Sequence, residues 1–198
     1  MNSNGIKLKL FFAAVISAFF ILFGVGNARV VTAQAEYAAS INSQGSETKY
    51  LSLQEAIGVA SENDKIDVLK NLEECIVVPE GGVIYIDLNG NFLNCQNTTI
   101  INNGNLIIDN GEVIGKNVGI ENNGVLTLGI KDGVYSFDEL LVESIEGAGI
   151  KNVSGVINWY DGLVKSVGQS NIGSVAEFET GYKLVENTFA NEYNNYLI

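Results

Sequence analysis

The chain has 198 residues, with 23 acidic against 11 basic side chains, a formal charge of −12, two cysteines and no histidine. That length allows one ordinary domain with an appendage, and the excess of acid repels phosphate backbones and anionic lipid surfaces, which speaks against nucleic-acid binding. Two cysteines without histidine exclude a structural zinc site of the usual four-ligand kind.

Lys7 and Lys9 precede an apolar run from Leu10 to Gly26, and Ala33-Gln34-Ala35 follows it. This is the order of a signal peptide: basic n-region, apolar h-region, small-residue cleavage site. It predicts a signal peptide over 1–35 and a secreted or cell-surface, extracellular protein. The run of 17 residues also approaches the length needed to cross a hydrocarbon core of about 30 Å. An uncleaved N-terminal anchor is therefore the alternative, and this segment is the only expected route to a membrane. Cleavage leaves eight lysines against 23 acids, a formal charge of −15. Export also places Cys75 and Cys95 where a disulfide persists. Closing a loop of that size contributes on the order of 3 kcal/mol.

Residues 36–48 are small and polar and read as a linker, so that the fold starts near Lys49. Ser52-Leu53-Gln54-Glu55 has capping-box spacing, and Leu53, Ala56, Ile57 and Ala60 follow at i, i+3, i+4 and i+7. One amphipathic helix is expected there. A short helix alone is marginal in water, so it should lie across the end of the structure that follows. From Lys65 onward, short β-branched and aliphatic runs are interrupted every few positions by Asn, Asp or Gly. The runs are Ile66 to Leu69, Ile76 to Val78, Val83 to Leu88, Thr99 to Ile101, Leu106 to Ile108, Val125 to Leu128 and Val156 to Tyr160.

Internal similarity adds more. Ile101-Asn102-Asn103-Gly104-Asn105-Leu106-Ile107-Ile108-Asp109-Asn110-Gly111 is echoed from Ile120 through Asn123-Gly124-Val125 to Asp132-Gly133, and again from Ile150 through Ser154-Gly155-Val156 to Asp161-Gly162. Repeats of this size indicate a solenoid with one coil per repeat. Extra length around 136–147, with Phe137, Leu140, Leu141 and Ile145 among four acids, reads as a looped or helical insertion. Asn and Gly tolerate the left-handed backbone of a sharp corner, and stacked Asn side chains can bond from rung to rung. The Asn richness is accordingly read as structural.

The order Tyr50-Leu51-Ser52-Leu53-Gln54-Glu55-Ala56-Ile57, then Val83-Ile84-Tyr85-Ile86-Asp87-Leu88-Asn89-Gly90, then repeated Ile-x-Asn-x-Gly-x-Leu stretches, resembles the pectate-lyase-like right-handed parallel β-helix repeat proteins of Gram-positive bacterial surfaces. The resemblance covers roughly Lys49 to Ile198. It implies an all-β fold, a single-stranded right-handed parallel β-helix (solenoid) over 49–198 with one short N-terminal capping helix, and an adhesin-like role.

Enzymes on such folds give the competing reading, a degenerate polysaccharide lyase or glycoside hydrolase. The sequence has no histidine and no arginine after Arg29, so the arginine base that the resemblance would require is missing. Glu73 and Glu74 read as solvated turn residues, and no residue is assigned a catalytic role. Asp109, Asp132 and Asp161, each near a corner glycine, would form a calcium-binding line if the coils stacked in register. The simpler reading is that each makes its turn by bonding its own backbone. Trp159 and Tyr160 are candidates for sugar stacking or partner contact, although strand alternation points one of them inward. The expectation is an exported cell-surface binding, adhesion or structural module, non-catalytic, with no cofactor other than calcium at the Asp line. Its partner would be a glycan or a surface protein.

Overall fold

A computed structural model describes residues 36–43, 45–131, 140–167, 172, 175–178, 184–186 and 195–197, within the unit Ala35–Ile198. The expected signal peptide, 1–35, lies outside the described residues. The chain opens with strands β1 (Ala39–Ser43) and β2 (Ser46–Tyr50), followed by helix α1 (Leu53–Val59). Then come β3 (Lys65–Val68), β4 (Leu72–Glu73) and β5 (Ile76–Val78), and β6 (Val83–Asp87), β7 (Phe92–Cys95) and β8 (Thr98–Asn102). The next are β9 (Asn105–Asp109), β10 (Gly111–Gly115) and β11 (Val118–Asn122), and β12 (Val125–Leu128), β13 (Leu140–Ser144) and β14 (Ala148–Asn152). Strands β15 (Val156–Trp159), β16 (Leu163–Ser166), β17 (Val175–Phe178), β18 (Leu184–Glu186) and β19 (Asn195–Leu197) complete the series.

The fold is all-β with one helix. Its strands form three separate sheets, which we call A, B and C. Sheet A runs β17-β15-β12-β9-β6-β3-β1-β2, sheet B β18-β19-β16-β13-β10-β7-β4, and sheet C β14-β11-β8-β5. From β3 to β16 successive strands enter A, B and C in rotation, and every pair formed among them is parallel. Antiparallel hairpins stand at one end of sheet A and one end of sheet B.

The alternation that makes these strands is visible in their burial. In β6 Ile84 and Ile86 are buried while Val83, Tyr85 and Asp87 are half-buried. Registered neighbours repeat that choice. Ile66, Ile86, Ile108, Leu128 and Trp159 form one inward row of sheet A. Leu72, Leu93, Val113, Val142 and Val164 form one in sheet B. Ile76, Ile100, Ile120 and Ile150 form one in sheet C. All three sheets feed a single buried cluster, and each such side chain contributes roughly 1.5–3 kcal/mol by leaving water.

The corners use two different properties of their residues. Between sheets A and B, Asn89, Asn110, Gly129 and Gly162 have φ of 52°, 55°, 75° and 97°, the left-handed region that Asn and Gly tolerate best. Between sheets C and A, Gly104, Gly124 and Gly155 are needed for closeness instead. A Cβ on any of them would strike the carbonyl oxygen of an earlier corner glycine, Gly82, Gly104 or Gly124.

Buried polar groups at the end of sheet C satisfy one another. Asn102 and Asn122 have no exposed surface. Asn102 Nδ2 donates to Asn122 Oδ1 at 2.7 Å and Asn122 Nδ2 to Asn152 Oδ1 at 2.9 Å. Parallel ladders join Asn103 to Asn123 and Asn97 to Asn117.

Three expectations need correction. Residues 36–48 are not simply a linker: β1 and β2 form a hairpin there, with Ala39, Ser40 and Ile41 buried. The segment around 136–147 is not wholly an insertion, because β13 lies in register between β10 and β16 with Leu140 and Val142 buried; residues 132–139 lie outside the described residues. Glu74 is not a solvated turn residue, since its carboxylate accepts from the backbone N–H of Leu53 and of Gln54, 2.9 Å each. It thereby closes the start of α1, alongside the Ser52 hydroxyl, which accepts from Glu55 N–H.

Helix α1 buries Leu53, Ala56 and Ile57 and packs on β1, β2, β3 and β5. The Gln54 carboxamide takes both backbone bonds of Val77 on β5, accepting at 2.7 Å and donating at 3.1 Å. A side chain thus occupies the slot a further strand would fill at that edge.

Candidate functional site

The outer face of sheet A carries two rows of mostly polar side chains around Tyr85. Because residues i and i+2 of a strand share a face, Lys65 and Asp67 point outward from β3, as do Val83, Tyr85 and Asp87 from β6 and Asn105, Ile107 and Asp109 from β9. Register then builds rows across the strands. Lys65, Tyr85, Ile107, Thr127 and Asn158 form one, and Asp67, Asp87 and Asp109 a second beside it.

Lys65 joins the two rows. Its ammonium lies 2.7 Å from Asp67 Oδ1 and 2.9 Å from Asp87 Oδ2. The other oxygen of Asp87 accepts from Asn89 N–H at 2.8 Å and from Asn110 Nδ2 at 3.2 Å. These contacts fix the Asp87 carboxylate on three sides. The hydrogen bonds that Lys65 donates to Asp67 and Asp87 hold its ammonium well above the usual lysine range, and partial burial opposes them only in part. Tyr85, between the rows, is pushed above the ordinary phenol value of 10.0 by burial first, then by Asp109 and Asp87, with Lys65 acting the other way.

The chemistry follows from those directions. Lys65 keeps its proton at neutral pH and stands on this face as a hydrogen-bond donor. Tyr85 keeps its phenol hydrogen, which leaves it a hydrogen-bonding group on a flat aromatic body. Of these residues only Asp109 was singled out by sequence reasoning. The available signal was the repeated outward polar position after each Ile in Lys65-Ile66-Asp67 and Tyr85-Ile86-Asp87.

Asp109 stands in the acidic row of this face, while Trp159, Tyr160 and Asp161 fall elsewhere. Trp159 has no exposed surface and donates Nε1–H to Gly162 O at 3.3 Å. Tyr160 is also buried, with the Lys131 ammonium 5.7 Å from its ring centre. Neither ring offers a free stacking surface. Asp109 is registered with Asp87, whereas Asp161, buried, accepts at Oδ1 from the Gly162 N–H next to it. Gly162 packs on Leu140, the partner of Gly111, so Asp161 occupies the place of Asn110 and not that of Asp109. Asp132 lies outside the described residues, and among the described residues no three acidic or thiol groups gather as a metal site. Cys75 and Cys95 are joined in a disulfide with Cα atoms 5.3 Å apart. It ties the corner before β5 to the end of β7.

No protein-family model, no curated protein and no solved structure matches the chain.

Proposed function

We propose that the three sheets are faces of one right-handed parallel β-helix, and that the chain is an exported, non-catalytic cell-surface module that binds or adheres to a glycan or a surface protein through the outer face of sheet A. The rotation of strands through A, B and C is what supports the winding. The export reading rests on the N-terminal sequence. The binding reading rests on one observation, the outward row Lys65, Tyr85, Ile107, Thr127 and Asn158 beside the acidic row Asp67, Asp87 and Asp109.

Strands about 4.8 Å apart make the first row roughly 19 Å long. Such a row presents side chains at a fixed interval with little backbone entropy to lose on contact, since each is mounted on a strand paired on both sides. An extended polymer meets the same kind of surface at each step. Lys65, held as an ammonium, supports binding over proton abstraction.

The test is a glycan and surface-protein array probed with residues 36–198, with and without calcium, using Tyr85→Ala and Asp87→Asn variants. Binding that both variants weaken supports the reading, and binding that neither changes moves the site off sheet A. Turnover of a glycan that is abolished by one carboxylate substitution overturns the non-catalytic reading in favour of a β-helix lyase or hydrolase.

A further inference from the structure

We propose that the Cys75–Cys95 disulfide is a redox latch for helix α1, and that its reduction releases the helix and uncovers the backbone edge of β5. Four hydrogen bonds tie the start of the helix to β5 and the turn before it. Two backbone N–H groups, of Leu53 and Gln54, donate to Glu74, and the Gln54 carboxamide makes two bonds with Val77. All four converge on residues 74–77, and Cys75 lies inside that stretch.

The corner is otherwise lightly held. Strand β4 has two residues and β5 three, paired on one side with β7 and β8. Glu73, Cys75 and Val77 are exposed, while Ile76 and Val78 are buried. The covalent tie to Cys95, at the end of β7, anchors the corner to the next rung. α1 has only two turns, too short to persist without its cap and its packing. Loss of the tie therefore loosens four hydrogen bonds together.

The bond is also within reach of a reagent. Cys75 is exposed and borders a cavity of about 210 Å³ lined by Glu73, Asn94, Cys95 and Gln96. A small dithiol attacks one sulfur as its thiolate and forms a mixed disulfide. Its second thiol then closes a ring, releasing Cys75 and Cys95 as two thiols and carrying away the oxidised dithiol. Two electrons pass from reagent to protein. Once α1 leaves, Val77 presents an unpaired N–H and C=O at a strand edge, the arrangement that accepts an added strand.

Hydrogen exchange on the full chain, oxidised and then reduced with dithiothreitol and alkylated, tests this. The expected result is exchange on the order of tenfold faster or more at the Leu53, Gln54 and Val77 amides, with the Ile120 and Ile150 amides unchanged. Oxidised Gln54→Ala should reproduce the change at Val77 alone. Unchanged protection at all three amides after complete alkylation overturns the latch. Uniform acceleration that includes Ile120 and Ile150 also overturns it, because the disulfide is then a staple of the whole fold.

Discussion

Asn122 accepts the side-chain amide of Asn102, twenty positions earlier, at 2.7 Å, and donates its own to Asn152, thirty positions later, at 2.9 Å. It also reaches the carbonyls of Gly124 and Val156 at 3.3 and 3.2 Å. One side chain therefore ties three rungs in a place water does not enter. Asn122→Ala leaves one N–H of the buried Asn102 amide without its acceptor, although the amide keeps its bond to Val125 O, and it unpairs the half-buried Asn152 carbonyl; an orphaned buried group costs about 1–3 kcal/mol. The expected loss is at least about 2 kcal/mol in urea unfolding, against less than about 1 kcal/mol for the half-buried Asn123→Ala.

Glu74 and its neighbour Glu73 make a matched pair of controls. Glu74 caps α1 through two backbone N–H groups, while Glu73 is exposed. Glu74→Ala should cost about 1–2 kcal/mol, and Glu73→Ala should stay within about 0.5 kcal/mol. Equal effects in urea unfolding would remove the capping role.

Stability should fall in alkali for a reason located on sheet A. Tyr85 and Lys65 are both raised above their ordinary values of 10.0 and 10.5, so the folded state holds these protons more tightly than the unfolded state does. Their contribution is fully present below pH 10 and is lost as pH rises through the folded values. Tyr85→Phe should flatten part of that loss in urea midpoints measured from about pH 9 upward. Because Lys65 lowers the Tyr85 value, Lys65→Met should move the phenolate absorbance of Tyr85 to still higher pH.

The only tryptophan of the chain is Trp159, packed in the row with Leu128. Its emission should be blue-shifted and poorly quenched by acrylamide, and should not respond to a ligand on sheet A. Trp159→Ala should cost about 3–5 kcal/mol. A strongly quenched emission would place the ring at the surface after all.

Much of the fold was legible where burial follows period two in apolar residues. Val83 to Leu88 and Val125 to Leu128 read directly as strands, and the Asn-Gly corners fixed the repeat, since Val125 pairs with Asn105 and Val156. Sheet B was largely illegible. β4 has two residues, β10 is bounded by Gly111 and Gly115, and β7 carries Asn94, so that the neighbouring strands define them. The β1 hairpin escaped for a similar reason. Ala38 and Ala39 carry no strand signal, and they are buried because they pack on the end of the core.

What the sequence determined by itself is the set of local properties: a capped helix at Leu53, outward and inward alternation, and left-handed corners at Asn and Gly. These depend on residues within a few positions of one another, and backbone sterics enforce them wherever the chain goes. The tertiary structure alone decided that Lys65 sits between Asp67 and Asp87, that Glu74 caps α1, and that Trp159 is core. Each of these depends on which strand lies beside which, and register across twenty or thirty residues is set by the packing of the sheets on the shared core.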